Sequence, residues 1–400
     1  MANQNLTEAK KAKKDEFYTR WEEIEKEVNA YIEYDKDVFR NKTILLPADD
    51  PFESNFFKYF AVHFNDYGLK KLIATSYDSS PVVNQQLSLF GDDEEEKETG
   101  KAYKIELTHV EDFDHDGVFN IKDVENFLLS EKTKLNSSAG SNVLSYLHGD
   151  DEFVPGDFRS KEVTKLRDEA DVIITNPPFS LFREFIKWIN PKEKKFLIIG
   201  NMNAVTYKEV FPLIKDNYMW MGSSIHSGDR PFFVPDNYPL NASGSGVDKN
   251  GRRFIRVKGV RWFTNLDHGR RHEPLSLMTM GDNIKFSKHK QVRGKKYMHY
   301  DNFDAIEVPF TDAIPSDYDG IMGVPISFLD KYNPDQFKIV GRDGDLDLAK
   351  TYTFFTPPSE ELANKYKKMN HTWRQQNVYF VINGKLKINY KRIFIKSIRD

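Results

Sequence analysis

The run Val172-Ile173-Ile174-Thr175 breaks off into Asn176-Pro177-Pro178-Phe179, and that break constrains the fold more than any other stretch of the chain. Apolar and β-branched residues in unbroken succession read as a strand buried on both faces, as in a parallel sheet. Neither proline can continue the strand, because each lacks an N–H donor and has a fixed φ. The chain must therefore leave the sheet just past a strand's carboxyl end, where open α/β sheets place their ligand sites. The helix-like Leu181-Phe182-Arg183-Glu184-Phe185-Ile186 follows at once.

Asn176, Pro177, Pro178 and Phe179 together offer an amide, carbonyls held rigid by proline and a flat apolar face. Those are the parts needed to hold a planar base by its amino group. The pattern resembles the Asn-Pro-Pro-aromatic motif of amino-methyltransferases that use S-adenosylmethionine, chiefly the N6-adenine DNA methylases. An exocyclic amine on adenine is a poor nucleophile, since its lone pair is delocalised into the ring. The resemblance implies that the Asn176 side-chain oxygen and the Pro177 carbonyl accept its two hydrogens, which moves the nitrogen toward sp³. Phe179 would stack on the extruded base, because the atom is out of reach inside a duplex.

Four hundred residues suggest two domains, or one large domain with an appended module. No apolar run is long enough to span a membrane, and the polar amino-terminal stretch lacks a signal core. The chain has no cysteine, which excludes disulfides, thiol catalysis and Cys-zinc sites and fits a cytoplasmic protein of a bacterium or phage. A net charge of −3 hides an asymmetry. Fourteen Lys/Arg stand against three Asp/Glu between Lys249 and Lys296, and eleven against three between Lys350 and Asp400. Basic blocks in a near-neutral chain suit a phosphate-backbone partner.

Short apolar strands alternate with helical spacings. Strands are expected at Lys42–Pro47, Lys71–Tyr77, Ile105–His109, Val143–Leu147, Val172–Thr175, Lys195–Gly200 and Arg261–Asp267, with helices around Trp21–Ile32 and Ser54–Phe60. The alternation implies a twisted, largely parallel sheet. Polar residues 79–100 read as a mobile acidic loop. Beyond Met221 the composition changes, and an irregular α+β module follows. The soft boundary divides the chain into a catalytic domain over 1–270 and a target-recognition, DNA-binding region over 271–400.

The Gly-rich turn usual after the first strand of such a fold is replaced here by Pro47-Ala-Asp-Asp-Pro-Phe-Glu-Ser-Asn55. The chain nevertheless resembles the EcoRI-type adenine-specific DNA methylase family from roughly Lys13 to Val340. The resemblance rests on Asp15-Glu-Phe-Tyr-Thr19, Asp49-Asp-Pro51, Ser54–Phe60, Gly156-Asp-Phe-Arg-Ser160, Asn176–Arg183, Phe196–Asn201, Trp262–Leu266 and Asp319–Pro325. It implies a Rossmann-like α/β sheet with an appended α+β DNA-recognition region. The activity implied is transfer of a methyl group from S-adenosyl-L-methionine to adenine N6 in a defined site of double-stranded DNA. Phe17, Tyr18 and Thr19 match the family's cofactor-contacting motif; Asp49 or Asp50 would meet the cofactor ammonium. Asp78 stands where a carboxylate binds ribose hydroxyls, although Tyr77 competes for that place. Asp157 and Phe158 resemble the pair that bonds and covers the cofactor adenine.

Arginine pairs with guanine edges, but most basic contacts only position the DNA backbone. The candidates are Arg252, Arg253, Arg256, Arg261, Arg270, Arg271 and Arg293. The loop Gly244–Gly251 reads equally as a mobile element entering a groove or as a hairpin turn. His268 and His272 beside Asp267 and Glu273 are a candidate metal site, but methyl transfer requires no metal, and a structural role is the preferred reading. Gln86-Leu87-Ser88-Leu89-Phe90 resembles the pentapeptide by which bacterial proteins grip the DNA polymerase sliding clamp, making that clamp a candidate partner. A cognate restriction endonuclease is a second one. The rival readings are an RNA or protein-glutamine methyltransferase, or a DNA-binding protein that has lost its cofactor.

Overall fold

The computed structural model describes residues 19–77, 102–234, 238, 240, 244–344, 358–368, 377–389 and 391–398. The chain divides into two compact units, Met1–His268 and Gly269–Asp400.

The first unit is built on eight strands: β1 (Thr43–Leu46), β2 (Lys71–Thr75), β3 (Tyr103–Leu107), β4 (Leu144–Tyr146), β5 (Val172–Thr175), β6 (Lys195–Asn201), β7 (Trp220–Met221) and β11 (Val260–Thr264). Their order across the sheet is β4-β3-β2-β1-β5-β6-β11-β7. The four central strands are parallel, Ile44 pairing with Leu72 on one side and Val172 on the other. Both flanks are antiparallel. The sheet is thus mixed where the alternation of strands and helices implied a largely parallel one. Burial explains the difference. β1 and β5 are buried throughout, as parallel strands require, whereas β3 alternates buried Tyr103, Ile105 and Leu107 with half-buried Lys104 and Glu106.

The helix Asn55–Val62 begins at Ser54, whose Oγ accepts from the Phe56 and Phe57 N–H groups at 3.1 and 3.4 Å. Its Phe56, Phe57, Tyr59 and Phe60 enter the main core beside Ile44, Leu46, Leu72 and Ile174. The helix Ile121–Leu135, absent from the expectations above, adds Val124 and Leu128 to the same core. A small antiparallel sheet, β8 (Asp229–Phe233), β10 (Arg253–Lys258) and β9 (Gly246–Val247), rests on that core through Phe232, Ile255 and Val257. The 244–251 segment is therefore a hairpin: β9 pairs with β10, and Asp248 accepts the Arg252 N–H at 2.9 Å.

The second unit holds a four-stranded sheet, β12 (Ala305–Glu307), β13 (Ile321–Pro325), β17 (Arg392–Ser397) and β14 (Phe337–Arg342), in that order. A hairpin of β15 (Phe380–Ile382) and β16 (Lys385–Lys387) accompanies it. Tyr300, Phe303, Phe380 and Phe394 form its core. Among the described residues, no helix is long and apolar enough to cross a membrane.

Candidate active site

Because β1, β2, β5 and β6 are parallel, their carboxyl ends share one edge of the sheet. The chain passes from β1 to β2 on one side, while β5 and β6 lie on the other. The order reverses between β1 and β5, and such a switch point is where a doubly wound sheet holds its ligand. Pro47-Ala48-Asp49-Asp50 leaves β1 there, and Asn176-Pro177-Pro178-Phe179 leaves β5. The Thr175 hydroxyl donates to the Pro47 carbonyl at 3.0 Å and ties the two exits together.

The turn after β1 does without glycine. Ala48 takes φ 61, a left-handed conformation that L-residues adopt at a cost. Hydrogen bonds hold it there. The Ala48 N–H donates to Thr75 Oγ1 at 3.1 Å; Asp50 accepts from the Phe52 N–H at 2.9 Å and the Tyr103 hydroxyl at 2.7 Å. Asp49 accepts the Ser54 hydroxyl at 2.9 Å on one oxygen. Its other oxygen, Oδ2, is buried and has no hydrogen-bond partner among the described residues. Burial pushes the Asp49 carboxyl up to about 7, against the pull of neighbouring hydroxyls, Ser54 among them. Burial likewise pushes Asp50 up to about 6, with the Tyr103 hydroxyl opposing.

Thr19 lies beside this turn, since its carbonyl accepts from Asn55 Nδ2 at 2.7 Å at the start of the helix. Its hydroxyl is buried and also lacks a partner among the described residues. Phe17, Tyr18 and Asp78 lie outside the described residues, as do Gln86, Leu87, Leu89 and Phe90.

A third wall comes from the loop at Gly156. A Cβ there would stand 1.9 Å from the Ser76 carbonyl oxygen, so only glycine lets the loop reach the residues leaving β2; its φ of 80 requires glycine as well. Asp157 is buried and accepts from Arg159 Nε at 2.9 Å and Nη2 at 2.7 Å, and Arg159 reaches Glu184 at 2.7 Å. Phe158 corrects the sequence expectation. It does not offer a free face to a ligand but packs at 3% exposure against Phe185 and Trp188, with ring centroids 5.0 and 5.4 Å away.

At the β5 exit, Pro177 and Pro178 are buried, and Asn176 and Phe179 are half-buried. The Pro178 carbonyl accepts the Leu181 N–H at 3.0 Å and opens the short 3₁₀ turn Phe179–Leu181. Phe179 leans on the main core with part of its ring exposed. Sequence reading passed over the hydroxyls of Ser54, Thr175 and Tyr103. Ser54 carries a readable mark, a serine just before a helical run. Tyr103 carries none, being 53 positions from its partner Asp50.

The basic candidates are divided between the two units, Arg252, Arg253, Arg256 and Arg261 in the first and Arg270, Arg271 and Arg293 in the second. Arg256 and Lys258 project from the exposed face of β10, opposite buried Ile255 and Val257. Arg252 lies over the Phe233 ring at 4.0 Å and pairs with Asp248; Arg256 pairs with Asp229 at 2.8 Å. Arg253 donates to the Tyr238 carbonyl. Arg261 departs from the expectation of an exposed contact residue: it is 6% exposed inside β11 and donates to the carbonyls of Val260 and His226. In the second unit, Arg270 and Arg271 lie half-buried in the turn Gly269–His272, and Arg293 is exposed.

Comparison with known proteins shows the family. The family described as "Adenine-specific methyltransferase EcoRI" matches residues 5–398. The chain is 40% identical over 340 residues to the Type II methyltransferase M.EcoRI of Escherichia coli, covering 84% of this chain and 89% of that one. It is 34% identical over 399 residues to the Type II methyltransferase M.MgeORF184P of Mycoplasma genitalium, with 98% of each covered. It is 32% identical over 334 residues to the Type II methyltransferase M.MpnI of Mycoplasma pneumoniae, with 83% of each covered. No solved structure matches. The chain belongs to the EcoRI family of adenine-specific methyltransferases.

Proposed function

We propose that the crevice between the β1 and β5 exits transfers a methyl group from S-adenosylmethionine to N6 of an adenine turned out of duplex DNA. The carrying observation is the meeting of the Asp49 turn and the Asn176-Pro-Pro turn at the switch point, joined by the Thr175–Pro47 hydrogen bond. The cofactor, when bound, supplies a methyl group on a positively charged sulfur.

The residues present fit that group. Buried polar atoms without partners cost free energy unless a ligand completes them. Asp49 Oδ2 is an acceptor suited to the cofactor ammonium, and the Thr19 hydroxyl is a donor suited to its carboxylate. Asp50 is the poorer choice, because both its oxygens already accept hydrogen bonds. Asp157, held by Arg159, fixes the wall beside the cofactor adenine.

For the acceptor, Asn176 and the Pro177 carbonyl take the two amino hydrogens, and Phe179 offers its ring to the base. The N6 lone pair would take the methyl group as its bond to the cofactor sulfur broke, and Asn176 with the Pro177 carbonyl holds the amine for that displacement. The surplus proton on N6 then passes to solvent, so no general base is needed beforehand. Catalysis is positioning and electrostatics of an in-line displacement. Exposed Arg256 and Lys258 on β10, and Arg293 in the second unit, are proposed contacts to the DNA backbone. The Gln86–Phe90 pentapeptide is proposed as a ligand for the sliding clamp, tested by clamp binding before and after Leu89→Ala with Phe90→Ala.

The test is incubation with methyl-labelled cofactor and duplex DNA, RNA or protein in separate reactions, using wild type and Asn176→Ala. Label is expected in DNA adenine with wild type alone. Label confined to RNA or protein, or turnover by Asn176→Ala equal to wild type, overturns the reading.

A further inference from the structure

Between β3 and the helix Ile121–Leu135 runs a segment that methyl transfer does not use: Asp112-Phe-Asp114-His-Asp116-Gly117-Val118-Phe119-Asn120-Ile-Lys-Asp123. Each of Asp112, Asp114 and Asp116 brings a carboxylate oxygen within 4.8 Å of the others. Crowded acids alone would not distinguish this loop from any solvated acidic surface. The spacing does, and it includes groups that are not acids.

A twelve-residue loop that wraps a calcium ion takes ligands from positions one, three, five, seven, nine and twelve, with glycine at six for the sharp turn. The seventh ligand is a main-chain carbonyl. Counted from Asp112, the three aspartates fall at one, three and five, and the Val118 carbonyl falls at seven. Asn120 falls at nine and Asp123 at twelve. Gly117 falls at six with φ 88. Phe119, at eight, packs on the main core and anchors the loop. The Asp112 carboxylate accepts from the Asp116 and Gly117 N–H groups at 3.2 and 2.6 Å, which curls the segment around its own first side chain. Among the described residues, no lysine or arginine pairs with Asp112, Asp114 or Asp116.

We infer that residues 112–123 form a calcium-binding loop. The donors are all oxygen, which suits a hard cation and not zinc or copper. The aspartate at position twelve is one carbon shorter than the usual bidentate glutamate and already accepts from the Phe113, Asp114 and Asn120 N–H groups, so it offers the ion fewer oxygens, and magnesium, with its six ligands, is the natural competitor. Binding neutralises the converging carboxylates and fixes the loop onto the helix Ile121–Leu135, whose Val124 and Leu128 are core residues.

The test uses full-length protein stripped with a chelator and titrated with calcium chloride, then with magnesium chloride, by calorimetry and by thermal melting. One saturable calcium site with a dissociation constant below about 1 mM is expected, together with a Tm that climbs with calcium concentration. Asp112→Asn with Asp116→Asn should weaken binding at least about tenfold, the loss of charged oxygen ligands being the cause. Asp114→Asn, at an exposed position, is the second variant should the double one fail to fold, and it should also weaken binding. No saturable heat with either cation, or calcium binding equal to wild type in the folded variants, shows an acidic surface only and overturns the inference. Saturation by magnesium with no response to calcium overturns it too.

Discussion

The turns leaving β1 and β5 stand side by side and are made in opposite ways. After β5 the conformation is covalent: two prolines fix the backbone angles whatever surrounds them. After β1 it is borrowed: Ala48 holds φ 61 because Thr75 takes its N–H while Tyr103, from another strand, and Ser54, at the turn's far end, bond the carboxylates of its neighbours. A turn fixed by proline keeps its shape when a ligand comes or goes. A turn fixed by distant hydroxyls keeps it only while the fold is intact, and it buries two carboxylates at the same time.

The contrast can be broken at several points. The largest effect should come from the β5 side. Asn176→Ala should lower turnover at least about 100-fold while DNA binding stays near wild type, since the role proposed for the amide is to hold the reacting nitrogen. Methylation assays with a parallel mobility shift decide this, and equal losses in both would mean the turn is structural.

On the β1 side, Asp49→Asn should weaken cofactor binding by about 10- to 100-fold, the worth of a hydrogen bond to a charged partner. It should also flatten the pH dependence. In wild type, binding of a cationic ammonium calls for ionised Asp49, so affinity should rise with pH through about 7 and then level off. Stability should move the other way. Burial raises the Asp49 and Asp50 carboxyls in the fold above their unfolded values, so their favourable contribution is full below about pH 4. It is lost as the pH rises through about 6 to 7. Calorimetric titration and denaturant melts from pH 5 to 8 test both signs.

Gly156→Ala should cost about 1–3 kcal/mol, because its Cβ meets the Ser76 carbonyl and its φ is left-handed. The smallest effect belongs to Ala48→Gly, which should add up to about 1 kcal/mol by relieving the backbone. A loss of stability there would show that the alanine side chain matters more than its angle.

The same contrast explains what could be read from the sequence. β5 and its exit were legible because an apolar run and two prolines are local facts. The β1 exit was legible only as an oddity, for nothing near Ala48 names Thr75 or Tyr103 as its supports. The flank strands were expected around Ile105 and Val143, but not their antiparallel direction, since direction leaves no local mark beyond the half-exposed Lys104 and Glu106 of β3. Arg261 was misplaced by the basic block around it, although Val260, Trp262 and Phe263 mark a buried strand. The 112–123 loop was passed over because its carboxylates look like solvated surface until they are counted by position.

The Thr175 hydroxyl bound to the Pro47 carbonyl has a metric consequence. β1 and β5 are hydrogen-bonded neighbours, and neighbouring strands lie about 4.8 Å apart. The Asp49 turn and the Asn176 turn therefore start one lattice step of the sheet apart. In the proposed reaction, the spacing of the donor and acceptor turns is set by backbone hydrogen bonding, the least variable dimension the protein has, and side chains aim the groups across it.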